Sequence, residues 1–84
     1  MIDEERICHN FEITSLMSIN NEVLLTYSMQ DQMVKIWRLG GEECTCFKEF
    51  KLKVKAICFE FDATSNCLAF MDTNCHIGTF QYDF

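Results

Sequence analysis

LTYSMQDQMVKIWRL, residues 25–39, is the stretch on which the fold turns. Two β-favouring runs flank the polar corner Gln30-Asp31-Gln32, and the second ends near the chain's only tryptophan, Trp37. Hydrophobic runs on both sides of a short polar corner form a β-hairpin, although Asp-Gln turns a chain less readily than Asp-Gly. The stretch contains no catalytic or ligand-binding motif.

Outward from this hairpin the same pattern continues. Before it, residues 13–19 form a first strand closed by the turn pair Asn20-Asn21, and residues 22–28 a second. Residues 33–39 make the third strand, and Gly40-Gly41 breaks the pattern. Residues 44–50 and 54–61 give a fourth and a fifth, followed by the polar connection 62–66. Residues 67–71 and 76–82 give the last two, separated by Asp72-Thr73-Asn74-Cys75. No segment keeps a 3.6-residue apolar stripe over three turns, so little helix is expected. Short, regularly spaced strands with turn signals between them make an all-β architecture. Several strands are apolar on both faces, which requires stacked sheets.

The 84 residues fit one small domain or part of a larger one. A chain this short hides only about 60% of the surface that its unfolded form exposes, so its stability alone is marginal. Apolar residues make up 49% and aromatics 13%, too many for a disordered chain. No apolar run approaches the roughly 20 residues of a membrane span. The start, MIDEERICHN, is acidic and polar where a secretory signal is basic and then apolar. These features are those of a soluble intracellular protein, cytoplasmic or nuclear, with no membrane partner. The net charge of −6 disfavours direct binding of nucleic acid. In such a compartment the six cysteines (Cys8, Cys44, Cys46, Cys58, Cys67, Cys75) are expected to be reduced and mostly buried, because a free thiol packs as a small hydrophobe.

The chain also echoes itself. Residues 25–39 align without gaps on residues 68–82, an offset of 43 that sets Val34 on Ile77, Trp37 on Phe80 and Leu39 on Tyr82. Upstream, Ile13-Thr14-Ser15-Leu16 matches Val54-Lys55-Ala56-Ile57 at an offset of 41. A period of about 40–45 residues containing four short strands is that of a propeller blade.

On these residues the chain resembles the WD-repeat family. That pattern runs Gly-His, a strand, a Leu-Ala-Ser-Gly-Ser-like strand, an Asp-Gly corner and a strand ending Trp-Asp. His9 stands at the histidine with Cys8 in place of the glycine. Asp31 takes the corner with Gln32 replacing its glycine, and Trp37 is followed by Arg38 rather than aspartate. The resemblance implies a buried hydrogen-bonded chain of His9, Tyr27 (at the Ser/Thr position), Asp31 and Trp37. The second copy lacks this polar set: Phe50 falls at the histidine, Asn74 at the aspartate and Phe80 at the tryptophan.

By this resemblance residues 1–8 are an acidic lead-in, residues 9–49 a first WD repeat and residues 50–84 a second, degenerate one. The implied fold is a partial WD-repeat β-propeller of about two four-stranded blades, a fragment of a larger ring. The remaining blades, or another chain, would complete it. Tested alone, such a piece is expected to be poorly folded or oligomeric, because blades bury their faces against neighbours. A narrower similarity, carried by Glu43-Cys44, Ala56-Ile57-Cys58 and Asp72…Gly78, is to the late blades of the nuclear replisome scaffold that links helicase to polymerase alpha.

Two further sets of residues invite a functional reading. Cys44-x-Cys46 and Cys75-His76 are the candidates for a small Cys/His metal-binding module, but structural zinc sites use Cys-x₂₋₄-Cys spacing. Packing outweighs chelation here, so no metal and no cofactor are expected. Lys48, Lys51, Lys53 and Lys55 put four of seven basic residues into one short stretch. Such lysines keep a strand edge soluble, or serve as a docking patch for an acidic partner. There is no nucleophile constellation, carboxylate pair or glycine-rich phosphate loop, so no enzyme is expected. The resemblance implies a non-enzymatic scaffold for assembling intracellular protein complexes.

Overall fold

The computed structural model describes residues 9–40 and 43–82; the acidic lead-in with Cys8, Gly41 and Phe84 lie outside them. Seven strands follow one another: β1 (Ser15–Asn20), β2 (Val23–Ser28), β3 (Met33–Gly40), β4 (Glu43–Lys51), β5 (Ala56–Asp62), β6 (Cys67–Asp72) and β7 (Ile77–Gln81). They are the seven strands expected from the sequence, with ends moved by a residue or two. The described residues contain no helix. The strands form two antiparallel sheets in sequence order, β1-β2-β3-β4 and β5-β6-β7. Among the described residues the first sheet thus has the four strands expected of a blade and the second has three.

Strand β2, VLLTYS, explains the lack of clean alternation: it is covered on both faces. Leu25 lies opposite Ile36 and Tyr27 opposite Val34, so these four share the face turned to the second sheet. Together with Leu68 they are fully buried, and Leu52 and Ala56 belong to the same cluster. Each such aliphatic contributes on the order of 1.5–3 kcal/mol through burial. Aromatic rings fill the space between the sheets. Tyr27 meets Phe59 at 5.1 Å and Phe50 meets Phe80 at 5.2 Å, both edge to face. Phe70 lies 6.1 Å from Phe59 and 6.0 Å from Phe80, completing the file of rings.

One polar contact also crosses between the sheets. The Tyr27 hydroxyl accepts the backbone N–H of Ala56 at 3.0 Å, and lies 3.5 Å from the Val54 carbonyl. This side chain from the middle of the first sheet therefore fixes where the second begins.

The internal echo holds up to the corner and slips after it. Gln32 (φ 61°) and Cys75 (φ 64°) stand at matching positions of the two copies, and both take the left-handed conformation that favours glycine. Gln32 offsets its strain locally, since it exchanges hydrogen bonds with the Leu52 backbone through its own backbone (2.8 Å) and its side-chain amide (3.0 Å). Beyond the corner the second copy has one additional residue, His76. Leu25 faces Ile36, whereas Leu68 faces Phe80 rather than Thr79.

Because strand side chains alternate with a period of two, this slip exchanges the faces. Val34 is fully buried while Ile77 is 71% exposed. Trp37 lies on the outer face opposite Leu24, while Phe80 points inward at Phe50. Leu39 is exposed, whereas Tyr82 packs on Phe61 at 5.8 Å. The gapless pairing of Val34 with Ile77, Trp37 with Phe80 and Leu39 with Tyr82 is therefore corrected by one residue. The slip turns Phe80 to the inner face and sets Gly78 opposite Phe70. A Cβ on Gly78 would sit 2.4 Å from the Phe70 ring, so the ring covers a position that only glycine leaves open.

The cysteines also depart from expectation. Of the five described none is buried: Cys58 and Cys75 are exposed, and Cys44, Cys46 and Cys67 are half-buried. Cys44 and Cys46 lie opposite Leu39 and Trp37 on the outer face, and Cys75 sits in the corner. Aromatic and aliphatic side chains occupy the core instead.

Candidate functional site

The outer face of the first sheet gathers the polar residues of the first copy. Thr14 ties the segment before β1 to this sheet: its N–H donates to the Tyr27 carbonyl at 2.8 Å, and its Oγ1 accepts the Met29 N–H at 3.1 Å. Earlier in that segment His9 is buried, with its Nε2 2.7 Å from Thr26 Oγ1. Trp37 Nε1 donates to the same oxygen at 2.8 Å. The indole can only donate, so Thr26 Oγ1 accepts from it, and the same oxygen lies within hydrogen-bond distance of His9 Nε2. His9 Nδ1 has no hydrogen-bond partner among the described residues.

Thr26, not Tyr27, is therefore the hydroxyl between His9 and Trp37. Tyr27 is the next residue on the strand and faces the other sheet, where its hydroxyl serves Ala56. Asp31 lies at the corner, where its Oδ1 accepts the Met33 N–H at 3.2 Å, and no hydrogen bond joins it to His9, so the chain that the resemblance implies is corrected to His9, Thr26 and Trp37. On the same face Lys35 pairs with Glu49 across β3 and β4 at 3.7 Å. Nearby, the Arg38 guanidinium sits 5.0 Å from the centre of the Phe47 ring. Neither pair was singled out by the sequence. Lys35-to-Glu49 becomes visible only with the strand register.

Burial holds the His9 pKa below its ordinary 6.5, and the Lys35 charge lowers it further against the opposing pull of Asp31 and Glu49. Below pH 6.5 the unfolded chain takes up a proton at this position that the folded chain refuses. Stability is therefore expected to fall as pH drops through 6.5, until the folded imidazole also protonates. Urea unfolding at pH 7.5 and pH 5.5 checks this: the midpoint should be lower at pH 5.5, and His9→Gln should flatten the difference. Asp62 and Asp72 act in a separate, more acidic window. The Ser65 hydroxyl is the main group holding Asp62 below its ordinary 3.8, and the His76 N–H does the same for Asp72.

The second corner is organised by Asp72 rather than by Asn74. Asp72 is buried, and its Oδ1 accepts the N–H groups of Asn74 (2.9 Å) and His76 (2.8 Å). Phe50 and Phe80, which the resemblance sets at the histidine and tryptophan positions, instead meet each other between the sheets, partly buried against the core.

The four lysines divide. Lys48, Lys51 and Lys53 line a cavity of about 530 Å³ between β4 and β7, which also includes Phe50, Phe70 and Phe80. Lys55 is exposed in the connection leading into β5 and does not line that cavity. Among the described residues no group of three or more His, Cys, Asp or Glu side chains comes together as a metal site would require. Comparison with family models, with curated proteins and with solved structures returned no match.

Proposed function

We propose that the chain is a segment of a WD-type β-propeller and works as a non-enzymatic platform for assembling protein complexes. The observation that carries this reading is the buried chain His9–Thr26–Trp37 laid across an antiparallel four-stranded sheet beside a corner aspartate. The resemblance implies a histidine, a hydroxyl and a tryptophan joined in this way, and Thr26 supplies the hydroxyl that it set at Tyr27. The stacking of a second antiparallel sheet on the first supports it further, as adjacent blades pack face to face.

The outer face of the second sheet fits the same reading. Ile57 and Ile77 are 47% and 71% exposed there, apolar surface of the kind that a neighbouring blade covers. At 7% exposure the His9 imidazole has no open approach for a substrate, and its contacts serve to hold the segment before β1 against the sheet. Affinity purification with quantitative mass spectrometry tests the proposal. Stoichiometric protein partners are expected, and retention of none would sink the platform reading. Sedimentation tests the segment half of the proposal: self-association relieved by Ile57→Lys with Ile77→Lys is expected, and a strictly monomeric parent would overturn it.

A further inference from the structure

Of residues 9–14, which lead into β1, His9 alone is buried and the others are exposed. Phe11 and Ile13 keep 42% and 40% of their surface in water, so they press little apolar area onto the sheet. Two fastenings hold the segment. At one end Thr14 is tied to the end of β2: its N–H and Oγ1 lie 2.8 and 3.3 Å from the Tyr27 carbonyl, and its Oγ1 accepts the Met29 N–H. At the other end the His9 ring is set 2.7 Å from Thr26 Oγ1. The first fastening contains no titratable group, whereas the second is an imidazole.

The surroundings of this imidazole suit its neutral form. Once charged, it carries an N–H on both ring nitrogens, and Nδ1 is buried without a partner among the described residues. Three charges act on it from the elements around it. Lys35 on β3 repels the cation, while Asp31 in the corner and Glu49 on β4 attract it. Both carboxylates are engaged elsewhere, Glu49 with Lys35 and Asp31 with the Met33 N–H. Strand β1 contains no ionisable residue, and the only one on β2, Tyr27, faces the other sheet. On the segment itself Glu12 is exposed.

We propose that residues 9–13 form a pH-sensitive strap, latched over Thr26 and Trp37 by neutral His9 and released, with Thr14 as its hinge, when the imidazole takes up a proton. In the released strap the ring protonates near its ordinary 6.5, and in the latched strap only at lower pH, because burial and Lys35 oppose the charge. The released population therefore climbs as pH falls through 6.5 and levels off once the latched ring also protonates. Between pH 7.5 and 5.5 the ceiling on this climb is about tenfold. Release bares the Trp37 indole, which is only 6% exposed under the latched strap.

Glutamate-specific proteolysis of the full chain reads the strap directly, because Glu12 lies in it and Glu60 lies within β5. The rate of cleavage after Glu12, divided by that of a free peptide of residues 9–16, is expected to rise several-fold from pH 7.5 to pH 5.5. It should change little in about 1 M urea, since release exposes little surface. Cleavage after Glu60 requires the sheet to melt and should climb steeply with urea. His9→Gln has no proton to gain, so its cleavage after Glu12 should be independent of pH. Lys35→Gln should shrink the rise, because the latched ring then accepts a proton more readily. A parent rate after Glu12 that is indifferent to pH would overturn the proposal. So would one that follows Glu60 in urea, since the strap would then come free only when the whole fold melts. A full pH response in His9→Gln would assign the release to another group and overturn the latch equally.

Discussion

Thr26→Val is expected to destabilise the fold by about 3 kcal/mol, enough to lower the melting temperature by roughly 10 °C or more in a domain of this size. Valine keeps the β-branched shape and the strand propensity of threonine, so the backbone of β2 has no reason to move. What disappears is a single hydroxyl that serves two buried groups. Trp37 Nε1 loses its acceptor and His9 Nε2 loses its partner, and each unsatisfied buried group costs about 1–3 kcal/mol. Thr26→Ser keeps the oxygen and should recover most of the loss. Urea unfolding followed by the fluorescence of Trp37 measures both variants. A Thr26→Val protein within about 0.5 kcal/mol of the parent would mean that water replaces the hydroxyl and that the chain of bonds holds nothing together.

The strands were legible because each hydrophobic run is bounded by its own punctuation: Asn20-Asn21, Gln30-Asp31-Gln32, Gly40-Gly41 and the polar runs 62–66 and 72–75. Stacking was legible too, since a segment such as VLLTYS has no polar face to give to water. Faces and register were not. They depend on a count of one: His76 lengthens the second corner, and every side chain of β7 changes sides relative to a gapless alignment. The same parity misplaced the hydroxyl of the outer face. Trp37 pairs with Leu24, two residues from Thr26 and so on the same face, whereas Tyr27 pairs with Val34 in the core. Once Ser28 is set opposite Met33 across the corner, that arithmetic follows from the hairpin alone. The lysine cluster can be read in the chain, but the cavity of about 530 Å³ that three of its members line is a property of topology. The burial of the cysteines failed for another reason. Their hydrophobicity is real, but the bulkier aromatic rings compete for the same inner face and fill it.

Tyr27→Phe is expected to cost about 2 kcal/mol and to loosen the joint between the sheets while leaving each sheet internally paired. The ring stays, so its edge contact with Phe59 at 5.1 Å and its burial are retained. Only the hydroxyl goes, and with it the acceptor of the Ala56 N–H, a donor on a fully buried residue at the first position of β5. Amide exchange gives the discriminating measurement. Ala56 should exchange faster in the variant than in the parent, whereas Leu25 and Ile36, paired within the first sheet, should slow or quicken only with global stability. Thr26 and Tyr27 are consecutive residues, yet their hydroxyls serve separate networks on opposite faces of β2 and share no partner. The double variant should therefore lose the sum of the two single effects to within about 0.5 kcal/mol. A larger coupling would mean that β2 shifts as a body when either hydroxyl is removed. An unchanged Ala56 exchange rate in Tyr27→Phe would place the anchor of the second sheet in the aromatic packing alone.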